Sequence, residues 1–330
     1  MPSRLPLLFA LCGAVGAACS SSPPEPVPGF EGLDATAARA AAPTRVGDDP
    51  AARAAAATRG DALPPIPRMD LGDEAIGSLI RDLDLGLRTW SSLMARPRTE
   101  ETRHQIDLAT SALALKVVNR RDAVETQLLS GPPRNRGIAA AALGFSGDPR
   151  VVPLLAAATA DEDVTVAAHA LLGLGVLAAA DTPLDPVAQA LRRPDATPTL
   201  ERNAAFLLLQ LASTGRIGPD GAGADLLMEL VRRPDAKVRA QAALALGLSR
   251  AAAAAPVLTD LLAADPSPEV RTAAAWSLGR LGAASSSAAL VAALDDPNPV
   301  AAGAARAALA RIHGRDLGPD PSAWTPVLGG

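Results

Sequence analysis

The chain has 330 residues, 48% of them hydrophobic, yet it contains no Tyr, 4 Phe and 3 Trp, so Ala, Leu and Val carry the apolar content. With 30 Pro and 27 Gly as punctuation, this composition predicts many short helices joined by tight turns and excludes an all-β fold, which needs β-branched and aromatic runs of period two. A formal net charge of −4, with no Lys/Arg run longer than two residues, excludes the basic face on which nucleic-acid binding depends.

Residues 1–18 open with Met-Pro-Ser-Arg and continue as an apolar stretch from Leu5 to Ala18. One basic residue, an apolar run of about 14 residues and a small-residue exit have the layout of a secretory signal peptide, short for a permanent span of about 20 residues. The exit, Val15-Gly16-Ala17-Ala18-Cys19-Ser20, resembles the lipobox of bacterial lipoproteins. It departs from that pattern at Gly16, where the family carries Leu or another aliphatic residue. The resemblance implies cleavage before Cys19 and diacylation of its thiol. Plain secretion after an Ala-x-Ala-like site, or a cytoplasmic chain with a chance apolar start, are the alternatives. Cys12 and Cys19 are the only cysteines, so a processed chain keeps no free thiol for a disulfide, a zinc site or a nucleophile. Ser20, where inner-membrane retention asks for Asp, favours the outer membrane by the same resemblance. The expected location is the bacterial cell envelope, membrane-anchored and facing the periplasm.

Residues 19–68 form the next unit: the lipidated Cys and a Pro/Ala/Ser-rich segment running from Ser20-Ser-Ser-Pro-Pro to Leu63-Pro-Pro-Ile-Pro. Such sequence buries little and is expected to be a disordered tether. Residues 69–131 follow, with helices expected at Asp73–Ala95 and Thr99–Val118 and a shorter one at Asp122–Leu129. They are read as N-terminal capping helices or degenerate repeats.

From residue 132 the chain repeats itself. Arg192-Arg193-Pro194-Asp195-Ala196 recurs unchanged as Arg232-Arg233-Pro234-Asp235-Ala236, and self-alignment gives six anchors at Asn135, Val164, Leu200, Val238, Val270 and Val300. Four residues after each stands Ala (Ala139, Ala168, Ala204, Ala242, Ala274 and Ala304), and eight after stand Leu143, Leu172, Leu208, Leu246, Leu278 and finally Ala308. Offsets 0, 4 and 8 share one helical face, so each copy is expected to begin with an amphipathic helix whose small residue marks a crossing. Nine after the anchor, Gly144, Gly173, Gly247 and Gly279 are read as points where the chain leaves the helix. Asp161, Thr197, Asp235 and Ser267 are expected N-caps. A second apolar segment completes each copy, as in Val151–Ala158, Val187–Leu191, Leu226–Val231, Val257–Leu262 and Leu290–Leu294.

The stretches Asp235-Ala-Lys-Val238-Arg239-Ala-Gln-Ala242-Ala-Leu-Ala-Leu246-Gly247 and Pro268-Glu-Val270-Arg271-Thr-Ala-Ala274-Ala-Trp-Ser-Leu278-Gly279 resemble HEAT repeats, particularly the short variety of the phycobilisome lyases. The resemblance covers about residues 132–313. It implies an all-α fold: an α-solenoid, a right-handed superhelix of HEAT-like helical hairpins spanning 132–315, with 316–330 left as a C-terminal tail. Tetratricopeptide repeats lean on Tyr, absent here, and no Thr-Pro-Leu-His turn suggests ankyrin.

Little in the sequence carries chemistry. His104, His169 and His313 lie in three different regions without the spacing of a metal site, so neither a metal nor a cofactor is expected. The Gly-rich run Gly215–Gly223 lacks the Lys and Ser/Thr of a phosphate loop and reads as a loop insertion. Carboxylates at the repeat junctions read as helix caps, and Trp276 as core. The ridge of second helices is expected to be the binding surface, with Arg192, Arg193, Arg232 and Arg233 as a small basic ladder for an acidic protein partner, or as cations neutralising helix C-termini. The functional expectation is a non-catalytic, lipid-anchored extracytoplasmic scaffold for protein–protein contacts, with no nucleic acid and no small-molecule substrate. The alternative is a bilin-lyase-like or other enzyme-associated HEAT protein, and a purely structural envelope component is a third reading.

Overall fold

The computed structural model describes residues 73–97 and 99–328; the signal segment, Cys19 and the tether lie outside the described residues. Every regular element among the described residues is helical. Helix α1 (Asp73–Met94) buries Leu79, Ile80, Leu83, Leu87 and Trp90, a three-and-four spacing that lines one face of a 3.6-residue period. Helix α2 (Glu100–Asn119) starts at Thr99, whose side chain accepts from the Thr102 N–H at 3.1 Å, and α3 (Arg121–Ser130) follows. The Trp90 indole N–H donates to Thr110 Oγ1 at 3.2 Å, and its ring meets Phe145 edge-on with centroids 5.3 Å apart. These N-terminal helices therefore lean on the first repeat.

Six longer helices and five shorter ones then alternate. The first helices are α4 (Pro133–Leu143), α6 (Val164–Leu177), α8 (Pro198–Ser213), α10 (Ala236–Leu248), α12 (Pro268–Leu281) and α14 (Pro299–His313). The second helices are α5 (Val152–Ala158), α7 (Asp185–Leu191), α9 (Ala222–Leu230), α11 (Ala255–Ala264) and α13 (Ser287–Ala292). One continuous apolar core runs through them. Ala139, Ala168, Ala204, Ala242, Ala274 and Ala304 are all buried, as are Leu143, Leu208, Leu246 and Leu278. Leu172 departs from this series: it is only partly buried, while Leu171 and Leu174 fill the core, so α6 is rotated relative to its neighbours.

Each first helix packs directly on the next, α4 on α6 on α8 on α10 on α12 on α14, whereas successive second helices touch little. The glycines explain the close packing. A Cβ on Gly279 would stand 2.7 Å from Ala308 Cα, and one on Gly247 would stand 2.6 Å from Ser277 Oγ. Cβ atoms on Gly144 and Gly173 would run into the backbone of Gly173 and Ala140 respectively. Gly173, Gly247 and Gly279 sit inside their helices at crossings, not at the exits expected from their spacing, whereas Gly144 is both a crossing and the C-terminal cap of α4. The exits are made a few residues later by left-handed residues, among them Gly147, Gly282 and Gly314. The first helices therefore form the more tightly packed row of the stack.

Paired charges tie consecutive copies. Arg136 reaches Asp161 with two bonds of 2.8 Å, Arg239 reaches Asp265 at 2.7 and 2.9 Å, and Arg271 reaches Asp296 at 2.6 and 2.8 Å. Each of these aspartates also accepts a backbone N–H two residues on, from Asp163, Ser267 and Asn298. Asp161 is thus a clamp, not the expected cap. The cap of α6 is Asp163, which accepts from the Thr165 N–H at 2.7 Å. Thr197 and Asp235 do cap α8 and α10, while Ser267 occupies the cap position of α12 without a side-chain bond, the adjacent turn being held by Asp265. In the α8 copy the clamp is reversed in charge, with Glu201 facing Arg233 at 3.4 Å.

Within residues 316–328 the chain packs back on the last copy. Helix α15 (Pro321–Leu328) brings Trp324 fully into the core, where its N–H donates to the Gly318 carbonyl at 2.9 Å and its ring stands 6.1 Å from that of His313. Arg306 of the last copy pairs with Asp316 at 2.8 Å.

Candidate functional site

The four arginines singled out from the sequence do end second helices α7 and α9, but the fold uses them. Arg193 donates to Asp195 at 2.9 and 3.0 Å and to backbone carbonyls of the preceding junction, including Glu162 at 3.3 Å. Arg233 forms the reversed clamp with Glu201, and Arg192 meets Glu229 at 3.6 Å. Arg232 donates to the carbonyl of Met228 in its own helix. All four are engaged within the chain, and the structure does not gather them into a free cationic ladder.

The first-helix row has a different character. Phe206 and Trp276 are half-buried on α8 and α12; Phe206 closes over Gly175, where a Cβ would stand 2.7 Å from the ring. Four buried polar side-chain atoms without a hydrogen-bond partner fall on four successive first helices: His169 Nδ1 on α6, Gln210 Oε1 on α8, Gln241 Oε1 on α10 and Arg280 Nε on α12. A fifth, Arg103 Nε, lies on α2. Leaving a buried donor or acceptor unpaired costs about 1–3 kcal/mol each, so four successive copies hold hydrogen-bonding capacity that the fold itself does not use. Burial pushes the His169 imidazole below its ordinary value, against a smaller opposing pull from Asp84 and Asp163, and so favours the neutral ring. Desolvation, then the neighbouring Arg311 and Arg250 charges, lower the Arg280 guanidinium to about 10, and it lies 5.4 Å over the Trp276 ring. Asn203 on α8 spends its amide differently, donating to the Ala168 carbonyl of the preceding first helix at 2.7 Å.

Sequence reasoning did not single out Gln210, Gln241 or Arg280. All three lie on apolar-patterned helices, and no spacing tells a satisfied buried amide from an unsatisfied one. His313 packs at the C-terminal end, its Nε2 2.9 Å from Ser287 Oγ, and His104 is exposed on α2. No group of three metal-ligating side chains occurs among the described residues. The Gly-rich run is a loop leading into α9, with Gly215 and Gly221 at positive φ and Gly223 packed on Ile217. No helix among the described residues is long and apolar enough to cross a membrane.

Comparison with known proteins agrees with this architecture. The family model of HEAT repeats matches residues 224–310, and that of the PBS lyase HEAT-like repeat matches residues 136–161. No curated protein sequence matches the chain. Among solved structures, human deoxyhypusine hydroxylase in complex with glycerol is 20% identical, with a TM-score of 0.31, covering 73% of this chain and 99% of that one. The complex of CpcE and CpcF of phycocyanin lyase from Nostoc sp. PCC7120 is 17% identical, with a TM-score of 0.36, covering 82% of this chain and 99% of that one. Both names are those of enzymes, so the expectation that this chain has no enzymatic role is not upheld; likeness at these TM-scores carries no activity over to it.

Proposed function

This chain is a HEAT-repeat protein, and on that premise we propose that it acts as an enzyme-associated solenoid, holding a polypeptide against the ridge of its first helices. The observation that carries the reading is the series of unpaired buried groups His169, Gln210, Gln241 and Arg280, one on each of α6, α8, α10 and α12. A segment lying across successive helices offers N–H and C=O groups in alternation, and such groups can answer both acceptors and donors on the ridge. Half-buried Phe206 and Trp276 supply apolar contact beside them. The match of residues 136–161 to the PBS lyase HEAT-like repeat supports association with an enzymatic reaction.

The tether belongs to the same proposal. Val15-Gly16-Ala17-Ala18-Cys19-Ser20 supports lipidation at Cys19 and a protein held on the periplasm-facing surface of the bacterial cell envelope.

Affinity capture of the intact protein from its own cells tests the ridge. Gln241→Leu removes a buried unpaired amide and fills the same space, so folding stability holds or rises while partner recovery falls; undiminished recovery by Gln241→Leu together with Gln210→Leu contradicts the ridge as the binding surface. A shifted, covalently retained absorbance after incubation with a bilin would instead point to lyase-like chemistry. For the anchor, Cys19→Ala is expected to move the protein from the membrane fraction to the soluble one, and unchanged retention rules acylation out.

A further inference from the structure

Arg250, Arg280 and Arg311 stand at the C-terminal ends of three consecutive first helices, α10, α12 and α14. None of the three makes an ion pair or a side-chain hydrogen bond among the described residues. Their charges lie close enough for Arg250 and Arg311 to act on Arg280. The turns beside them, Ser249–Ala254 and Gly282–Ser286, contain no Asp or Glu, and the nearby Asp316 is taken by Arg306. The opposite ends of the same helices are different, since there the arginines are clamped to Asp265 and Asp296.

Two further features set this edge apart. Arg280 is held over Trp276 with its Nε buried and unpaired, so the guanidinium is oriented and partly stripped of water without a counter-charge. Arg250 occupies the left-handed region at φ 58°, where the following exits use Gly282 and Gly314 at φ 65° and 71° and the exit of α6 uses the small Ala178 at φ 44°. A non-glycine residue there costs about 1–2 kcal/mol, and Gly would remove the cost. A strained arginine kept at a helix exit, beside two unpaired arginines, is a feature that folding alone does not ask for.

We propose that Arg250, Arg280 and Arg311 form a docking edge for an acidic polypeptide segment lying across the C-terminal ends of α10, α12 and α14. Packed helices stand about 8–10 Å apart, and a polyproline-II chain, with three residues per turn and about 3.1 Å of rise per residue, brings every third side chain to one face about 9 Å apart. Carboxylates at every third position therefore meet successive guanidiniums, and the planar fork of each can take both oxygens of its carboxylate. The segment between them crosses Trp276 and continues onto the ridge that carries Gln241. The inference rests on the ridge reading above and names the chemistry of its partner.

The test is fluorescence anisotropy with the full chain and a labelled peptide carrying Glu at every third position, against the same peptide with Gln in those places. The Glu peptide is expected to bind at least about tenfold more tightly than its Gln counterpart, and its affinity should fall as salt rises. Arg250→Gly keeps the left-handed exit and Arg280→Gln keeps the stem over Trp276, so both variants fold; each should weaken the Glu peptide about tenfold or more. Equal binding of the two peptides, or no loss in either variant, overturns the proposal. So does displacement by inorganic phosphate at the same concentration as the peptide, which would mark a small-anion site. Binding of phosphatidylglycerol vesicles that is lost in these variants, without peptide binding, would make the edge a lipid contact and overturn it likewise. If the variants still capture the native partner while the Gln241 substitutions do not, this inference fails and the ridge reading stands. If the unmodified protein captures no partner, the ridge reading itself fails.

Discussion

A Cβ on Gly279 would stand 2.7 Å from Ala308 Cα, and the neighbour it meets is helix backbone that cannot swing away. Glycine inside a helix is ordinarily about 1 kcal/mol worse than alanine, so Gly279→Ala would stabilise an isolated helix. In the stack it is expected to destabilise by about 1–3 kcal/mol, because α12 and α14 must separate; a lowered urea midpoint would show this, and an unchanged or raised one would refute the crossing role. Arg250→Gly makes the opposite case. Relief of the positive φ is expected to raise stability by about 1 kcal/mol, read in the same urea series, even as the docking edge loses a cation. Both effects follow from backbone geometry at one position, and neither is visible in side-chain chemistry.

At the scale of the element, the Arg–Asp clamps decide how copies hold their spacing. Asp265 and Arg239 are both largely withdrawn from water, with side-chain exposures of 4% and 12%. Asp265→Ala leaves the guanidinium of Arg239 uncompensated and removes the acceptor of the Ser267 N–H. It is expected to cost about 2–4 kcal/mol by denaturant unfolding, whereas replacing both partners with apolar residues should cost clearly less. The clamps also set the acid response. Hydrogen bonding from Arg136, with its positive charge, holds the Asp161 carboxyl below the usual carboxylate range, and Arg271 does the same to Asp296. A depressed folded-state carboxyl stabilises the fold fully above its unfolded value, about 3.9, and that contribution is lost as pH falls through the lower folded value. His169 acts earlier: with its imidazole depressed by burial, the unfolded chain takes up a proton that the folded chain refuses, so stability begins to fall below about pH 6.5. Unfolding midpoints measured from pH 7 to pH 2 should therefore decline in two stages, with His169→Gln flattening the first and Asp296→Asn the second.

For the whole molecule, a solenoid is a chain of neighbour contacts, and damage at one end stays local. Trp324 is fully buried against the last copy, so Trp324→Ala is expected to cost about 3–5 kcal/mol where it packs. Hydrogen exchange should rise in α13, α14 and α15 while α4 and α6 keep their protection; a uniform loss would mean that the stack unfolds as a single unit. At the other end α1–α3 still expose Leu85, Leu108, Leu115, Val118 and Leu129, so the two ends are finished differently.

What the amino-acid sequence determined by itself is the succession of helices and their class. Periodic Ala and Leu at fixed offsets, Pro at first helical positions and Thr197 or Asp235 as caps act within a few residues of chain, where local geometry is decisive. The helical repeats were legible for that reason. Only the tertiary structure decided what depends on residues some 25–40 positions apart: that Gly173 and Gly279 serve helix crossings, that Asp161 belongs to Arg136, and that Arg193 and Arg233 are spent on junctions. It also decided that Arg250, Arg280 and Arg311 are left without an ionic partner among the described residues, because whether a charged or amide group finds a partner is settled by the neighbouring copy and not by the helix that carries it.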